Sequence, residues 1–444
     1  MPGTKLTAFL AGAAVATAAV VVIAVGALGR HTPPGGGPGA ASGSRPAGDG
    51  KGNGHGTSQG GGHGGHGGGS GLAPVSAGIG LRPGAVSPSA AGIAAAMAVL
   101  PKLTTLQLAG QRVIYSYPGM TPPAGLLRLI RHGEAAGVIF FTDNIGTTSA
   151  DLAHFRSVVA ELQAAAKAST NPVHEPLLLM TDQEGGEVRR LPGRPDDSEK
   201  QIGESSNPAG LAATAGHGAA ANLRSYGLNV NLAPVLDVFR APGNFIDEFG
   251  RSYSSNPTVA AAAGSAFIKA QQAAGVAATA KHFPGLGAAT RTQNTDERPV
   301  TLNLTLKQIQ TIDELPYQSA IPVGVKLVMV SWATYPAIDR TYPAGLSAKV
   351  VQGELRQRLG FAGVTITDAL EANGLKNFGS TANRATLAAK AGMDLLLCAA
   401  EQGSQGNTAM HALNTYYLGA SSSAQAAFKA AAERVIALRA TLAG

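Results

Sequence analysis

Val276-Ala-Ala-Thr-Ala-Lys-His-Phe283 is a short, almost continuously apolar run that ends near two polar side chains, Lys281 and His282. Seven other runs resemble it: Arg112–Tyr117, Gly137–Asp143, Pro176–Asp182, Asn229–Val238, Val325–Ala333, Gly363–Asp368 and Met393–Ala399. Runs this short and this apolar read as parallel strands covered on both faces. Helical patterns lie between them. In Ala150–Ala166, Leu152, Phe155, Val159 and Leu162 share one helical face, with Ser149 as the expected N-cap. Repeated strand–helix units specify an α/β fold, and eight of them favour a closed, TIM-like (β/α)₈ barrel. The open doubly wound alternative usually carries a Gly-x-Gly-x-x-Gly turn after its first strand, and none is present here.

In such a barrel, chemistry gathers at the C-terminal ends of the strands. Those ends carry Asp143, Asp182 with Glu184, Asp237, Lys281 with His282, and Asp368. Any one of these can be a cap or a solvated loop residue. Their recurrence at equivalent strand ends points to a polar ring above an apolar cylinder.

The chain divides into three parts. Residues 1–30 contain an uncharged stretch, Leu6 to Gly29, between Lys5 and Arg30. A signal peptide usually has an apolar core of ~7–15 residues, whereas about 20 are needed to span a bilayer. The stretch therefore reads as a signal anchor that makes the membrane a partner, with a cleaved signal at Val25-Gly26-Ala27 as the alternative. Residues 31–75 are dominated by Gly, Pro, Ser and His, which bury too little apolar surface to fold, so a disordered tether is expected. Its Gly-Gly-His63-Gly-Gly-His66 repeat reads as low-complexity sequence more readily than as a metal site. Residues 76–444 are the barrel domain.

Charged residues make up 14% and aromatics 5% of the chain, so the core is built from small aliphatic side chains. The net charge is +7, of which +3 precedes residue 76, and the +4 left on the domain is mild. No Lys/Arg cluster or set of stacking aromatics suggests a nucleic-acid partner. The one cysteine, Cys398, excludes an intramolecular disulfide and a cysteine-based zinc site, and it reads as a buried thiol. The sequence does not define an oligomeric state.

Four blocks resemble glycoside hydrolase family 3, in its single-barrel β-N-acetylhexosaminidase branch. They are Thr181-Asp-Gln-Glu-Gly-Gly186, Leu232-Ala-Pro-Val-Leu-Asp237, Lys281-His-Phe-Pro-Gly285 and Gly363-Val-Thr-Ile-Thr-Asp-Ala-Leu370, joined by Glu314-Leu-Pro316 and Phe249-Gly-Arg-Ser252. The resemblance implies a barrel outside the cytoplasmic membrane that acts on amino-sugar glycosides or cell-wall fragments without a cofactor or metal. It also implies that Asp368 is the nucleophile, and that Asp182, Arg251, Lys281 and His282 bind sugar hydroxyls. Charged donors and acceptors of this kind suit vicinal hydroxyls. Glu184 is expected to serve the tight turn at its glycines, Asp237 to cap a loop, and Trp332 either to stack on a sugar or to fill the barrel mouth.

One departure matters. The branch carries an Asp-Ser-His triplet in the loop after Lys-His-Phe-Pro-Gly, and its histidine is the acid/base. Here Thr292-Gln293-Asn294 aligns with the triplet, and no histidine lies between His282 and His411. Glu187 likewise replaces the branch's arginine after the double glycine. Asn294 cannot donate a proton usefully near neutral pH. Asp296 is the expected replacement, with Glu297 its neighbour. The other possibilities are a donor on another loop, or a tethered barrel that binds sugar polymers without hydrolysing them.

Overall fold

A computed structural model describes residues 89–442. The apolar Leu6–Gly29 stretch and the Gly/His-rich segment lie outside the described residues. Among those described, no helix is long and apolar enough to cross a membrane.

Each of the eight apolar runs marks a barrel strand, with the strand of Gly363–Asp368 reaching one residue past its run. These are β1 (Val113–Tyr115), β2 (Gly137–Ile139), β3 (Leu178–Thr181), β6 (Val230–Asn231), β7 (Ala277–Phe283), β8 (Leu327–Val330), β9 (Val364–Ala369) and β10 (Leu395–Leu397), while β4 (Gln183–Gly185) and β5 (Val188–Arg189) form a small antiparallel hairpin beyond β3. The eight pair in parallel in chain order, and β10 pairs with β1 to close the barrel. The runs are continuously apolar because alternate residues face two different apolar layers. Leu178, Met180, Leu327 and Met329 fill the barrel, whereas Leu179, Val328 and Val330 pack toward the helices. Full burial of such side chains stabilises the fold by roughly 1.5–3 kcal/mol each. The barrel floor is plugged by Val435 and Leu438 of the C-terminal helix Ser422–Thr441. Cys398 is buried and burial pushes its thiol well above the ordinary range, so it stays neutral.

Two strands depart from regular pairing, and both carry chemistry-bearing residues at their ends. On β7 the register against β8 shifts between Ala280 and Phe283, and on β9 the register against β10 shifts between Ile366 and Ala369. A bulge breaks the two-residue alternation and re-aims side chains. It thereby lets Lys281 and His282, adjacent in sequence, both contribute at the barrel mouth.

The helix expected after β2 is Ser149–Ala166, and it buries Phe155, Val158, Val159 and Leu162. Its N-cap is Thr148, not Ser149. Thr148 Oγ1 accepts from Asp151 N at 3.1 Å and Asp151 Oδ2 accepts from Thr148 N at 2.9 Å. That reciprocal capping box satisfies two donors and fixes the helix start one residue earlier.

Candidate active site

The site starts where β3 runs out. Asp182 follows Thr181 directly, and the β4–β5 hairpin then turns through Gly185 and Gly186 with φ of 126° and 55°. A Cβ on Gly185 would lie 2.3 Å from Asp197 O, so only glycine fits. The hairpin buries Glu184, which is 1% exposed. Its carboxylate accepts from Arg251 through Nε and Nη2, both at 2.9 Å, and meets Lys281 Nζ at 2.8 Å. Lys281 Nζ also donates to Asp182 Oδ1 at 2.8 Å. Two cations and two carboxylates thus compensate one another. Burial raises Asp182, but the charges of Lys281 and Arg190 outweigh it and hold the carboxyl down at about 2. Glu184 is likewise lowered against burial by Arg251 and Lys281. Lys281 is raised against burial by Asp182 and Glu184.

His282 Nδ1 lies 2.7 Å from Asp237 Oδ2. That contact orients the imidazole, and Nε2 has no hydrogen-bond partner among the described residues. Asp237 is fully buried and also accepts from Leu286 N at 2.6 Å. It therefore caps the loop after β7, as expected, while orienting His282.

Asp368 stands half-buried near the end of β9, and its Oδ1 accepts from Ala369 N at 2.8 Å. Trp332 backs this strand end, donating Nε1–H to Ala369 O at 2.8 Å. At 1% exposure, with Gly345 packed against its ring, the indole fills the barrel mouth and offers no face for stacking.

The loop after β7 brings Asp296 within electrostatic reach of Asp368, Arg251 and His282. The residue itself is exposed at the barrel mouth. Crowding around its carboxyl and then the charge of Asp368 push it up to about 6, against Arg251 and His282. Water at the exposed side chain weakens both the crowding and the Asp368 charge, and both act upward. Glu297 points elsewhere and pairs with Arg298 at 3.2 Å on the surface. Asp143 is exposed on the short helix Thr142–Ile145 and neighbours Glu401 rather than this cluster.

Sequence reading missed two participants, Arg190 and Glu371, and the larger part played by a third. Glu184 is the hub of the ion network as well as a turn residue. Arg190, in the hairpin arm opposite, supplies charge to Asp182. Glu371, three residues past Asp368, accepts from Ala399 N at 3.2 Å and Gln405 Nε2 at 3.0 Å through one oxygen. Burial, then Asp368, raises its carboxyl. The available signal for Glu371 was its place on the same strand exit as Asp368. Among the described residues, no group of three or more His, Cys, Asp or Glu is arranged to hold a metal. An open cleft lined by Asn383, Asn407, His411 and Tyr416 lies on the outer helical layer and shares no residue with the cluster.

Residues 110–438 match the model described as the glycosyl hydrolase family 3 N terminal domain. The chain belongs to glycosyl hydrolase family 3. It is 50% identical over 298 residues to an uncharacterized secreted glycosyl hydrolase of Arthroderma benhamiae, covering 67% of this chain and 83% of that one. A family 3 β-N-acetylglucosaminidase structure from Paenibacillus sp. str. FPU-7 superposes with a TM-score of 0.70 at 33% identity, over 77% of this chain and 64% of that one. The β-N-acetylhexosaminidase of Beutenbergia cavernae gives 0.68 at 32%, over 76% and 99%. The family 3 chain thus sides with the β-hexosaminidase branch, and its closed parallel barrel is the fold of those relatives.

Proposed function

We propose that this protein is a retaining exo-glycosidase that removes terminal β-linked N-acetylglucosamine-type residues from cell-wall saccharides. Asp368 is the nucleophile and Asp296 the acid/base. In the first step the Asp368 carboxylate bonds to the anomeric carbon as the glycosidic C–O bond breaks, and the Asp296 carboxyl gives its proton to the leaving oxygen. In the second, Asp296, now ionised, takes a proton from water. The resulting hydroxide equivalent displaces Asp368 and frees the sugar. Asp182, Arg251, Lys281 and His282 grip the hydroxyls of the sugar being transferred.

The observation that carries this reading is the docking of the Asp296 loop on the strand exit of Asp368, where Asn373 N donates to Asp296 O at 2.9 Å, with the Asp296 carboxyl raised first by loss of solvent and then by the Asp368 charge. A proton donor in a retaining enzyme needs that raised pKa, and burial with a neighbouring carboxylate acts in that direction. The sugar type is supported by the N-acetylglucosaminidase and N-acetylhexosaminidase similarities. We further place the barrel, residues 76–444, outside the membrane, behind residues 1–30 as an anchor and 31–75 as a tether. The secreted relative supports this placement. Release of the barrel by protease shaving of intact cells tests it, and release only after lysis refutes it.

A 5-fluoro-N-acetylglucosaminyl fluoride tests the chemistry. The expected result is a mass increase of one sugar on the peptide containing Asp368, with wild-type turnover of aryl β-N-acetylglucosaminides. Binding of chitooligosaccharide with neither labelling nor phenol release establishes instead a barrel that binds without hydrolysing.

A further inference from the structure

The loop that carries Asp296 has two anchors. Its first half is tied to the exit of β6: Leu286 N donates to Asp237 Oδ1 at 2.6 Å, and Gly287 O accepts from Arg240 N at 2.9 Å and Asn244 Nδ2 at 2.7 Å. Its second half is tied to the exit of β9, five and six residues beyond Asp368. Asn373 N donates to Asp296 O at 2.9 Å and Gly374 N donates to Thr295 O at 2.8 Å. The approach is close because Gly374 has no side chain. A Cβ there would stand 2.6 Å from Thr295 O. Thr295 itself is buried, at 2% exposure, so it cannot swing out to make room without vacating its site. Gly374 lies in the 3₁₀ turn Asn373–Phe378. Its φ is not positive, so its conformation does not by itself demand glycine. The demand comes from the loop it touches.

We propose that Asn373–Gly374 is a positioning strap, using the nucleophile strand's own exit to hold Asp296 at the distance from Asp368 that proton transfer to the leaving oxygen requires. The proposal rests on the reading of Asp296 as acid/base. Neither strap residue contributes a side chain to the chemistry; both act through the main chain of residues 295 and 296. The coupling follows from the topology. Nucleophile and proton donor arrive on different strands, and a backbone ladder between the two exits fixes their separation more stiffly than either side chain can.

Two substitutions each remove one rung. Gly374→Ala inserts the Cβ against Thr295 O. Asn373→Pro deletes the N–H that meets Asp296 O, at the first position of the turn, where the preceding Ala372 already has the extended ψ of 135° that a following proline favours. The control is Gly353→Ala, in the helix Lys349–Arg358, where a Cβ meets nothing within 4 Å. Aryl β-N-acetylglucosaminides of graded leaving-group pKa are the probes. A displacement near 1 Å costs on the order of 10²-fold in a positioned step. Both strap variants should therefore lose ~10- to 100-fold on the poorest leaving groups and stay within about twofold on dinitrophenyl. Their rates should also lose the decline above pH 6 that Asp296 imposes, while Gly353→Ala matches wild type throughout. Equal losses on all leaving groups, or none, beside an Asp296→Ala that is leaving-group dependent, would overturn the strap alone. An Asp296→Ala without leaving-group dependence overturns the acid assignment and the strap with it.

Discussion

The two halves of the barrel mouth are built on opposite electrostatic principles. In the half formed by Asp182, Glu184, Arg251 and Lys281, each charge has an opposite partner within 2.9 Å, and burial is offset by pairing. In the other half, loss of solvent raises Asp296 and Glu371 most and the like charge of Asp368 adds to it, with Arg251 and His282 pulling Asp296 down only in part. The first arrangement makes stiff, permanently charged groups that can hold hydroxyls. The second keeps a carboxyl near the point of titration, which is what moving a proton needs. The difference teaches that binding and proton transfer ask contradictory things of a charged cleft. In the proposed mechanism the two are separated by strand, with binding on β3, β6 and β7 and proton transfer on β9 and the loop after β7.

The largest effect expected from breaking this contrast is at Asp368. Asp368→Asn should lower turnover of an aryl β-N-acetylglucosaminide by a factor on the order of 10⁴ or more, as loss of a nucleophile does. Steady-state kinetics on the folded variant checks it, and undiminished turnover removes Asp368 from the role.

Next comes Asp296. An acid must be protonated to act, so kcat/KM on poor leaving groups should fall as pH rises through about 6, where Asp296 ionises. Asp296→Ala should abolish that limb and cost roughly 10²–10⁴-fold on poor leaving groups, with azide restoring turnover of activated ones. A limb that survives the substitution belongs to another group.

The compensated half responds in stability. Glu184→Gln leaves Lys281 and Arg251 short of a negative charge in a buried site, and one-sided removal of a buried pair costs about 3–5 kcal/mol. Urea unfolding measures this; a change below about 1 kcal/mol would show that solvent reaches the network. The smallest effect should come from Glu297→Gln, which breaks an exposed pair with Arg298. Stability should move by no more than ~0.5 kcal/mol, with kcat unchanged. A loss of kcat there would transfer the acid role to Glu297.

How much of this was legible depends on what kind of interaction decides each feature. All eight strands could be read because each is buried on two faces, which leaves a continuous apolar signature. Asp237 as a loop cap followed from residue type and position. The Thr148 cap was missed by one residue, because apolar spacing locates a helical face but not the hydroxyl that ends it. Glu184 read as a turn residue because its partners, Arg251 and Lys281, are 67 and 97 positions away in the chain. Trp332 stayed open between two roles until its neighbours Gly345 and Ala369 were known.

By itself the sequence determined the barrel, its strand order and the identity of the groups at its mouth, since hydrophobic periodicity and strand ends are local properties carried by consecutive residues. Tertiary structure alone decided which of those groups neutralise one another and which repel. Coulomb energy depends on separation through space and on burial, and neither is set until the strands close. The same closure brought residues 373 and 374 against residues 295 and 296, a contact between two loops that no local pattern encodes.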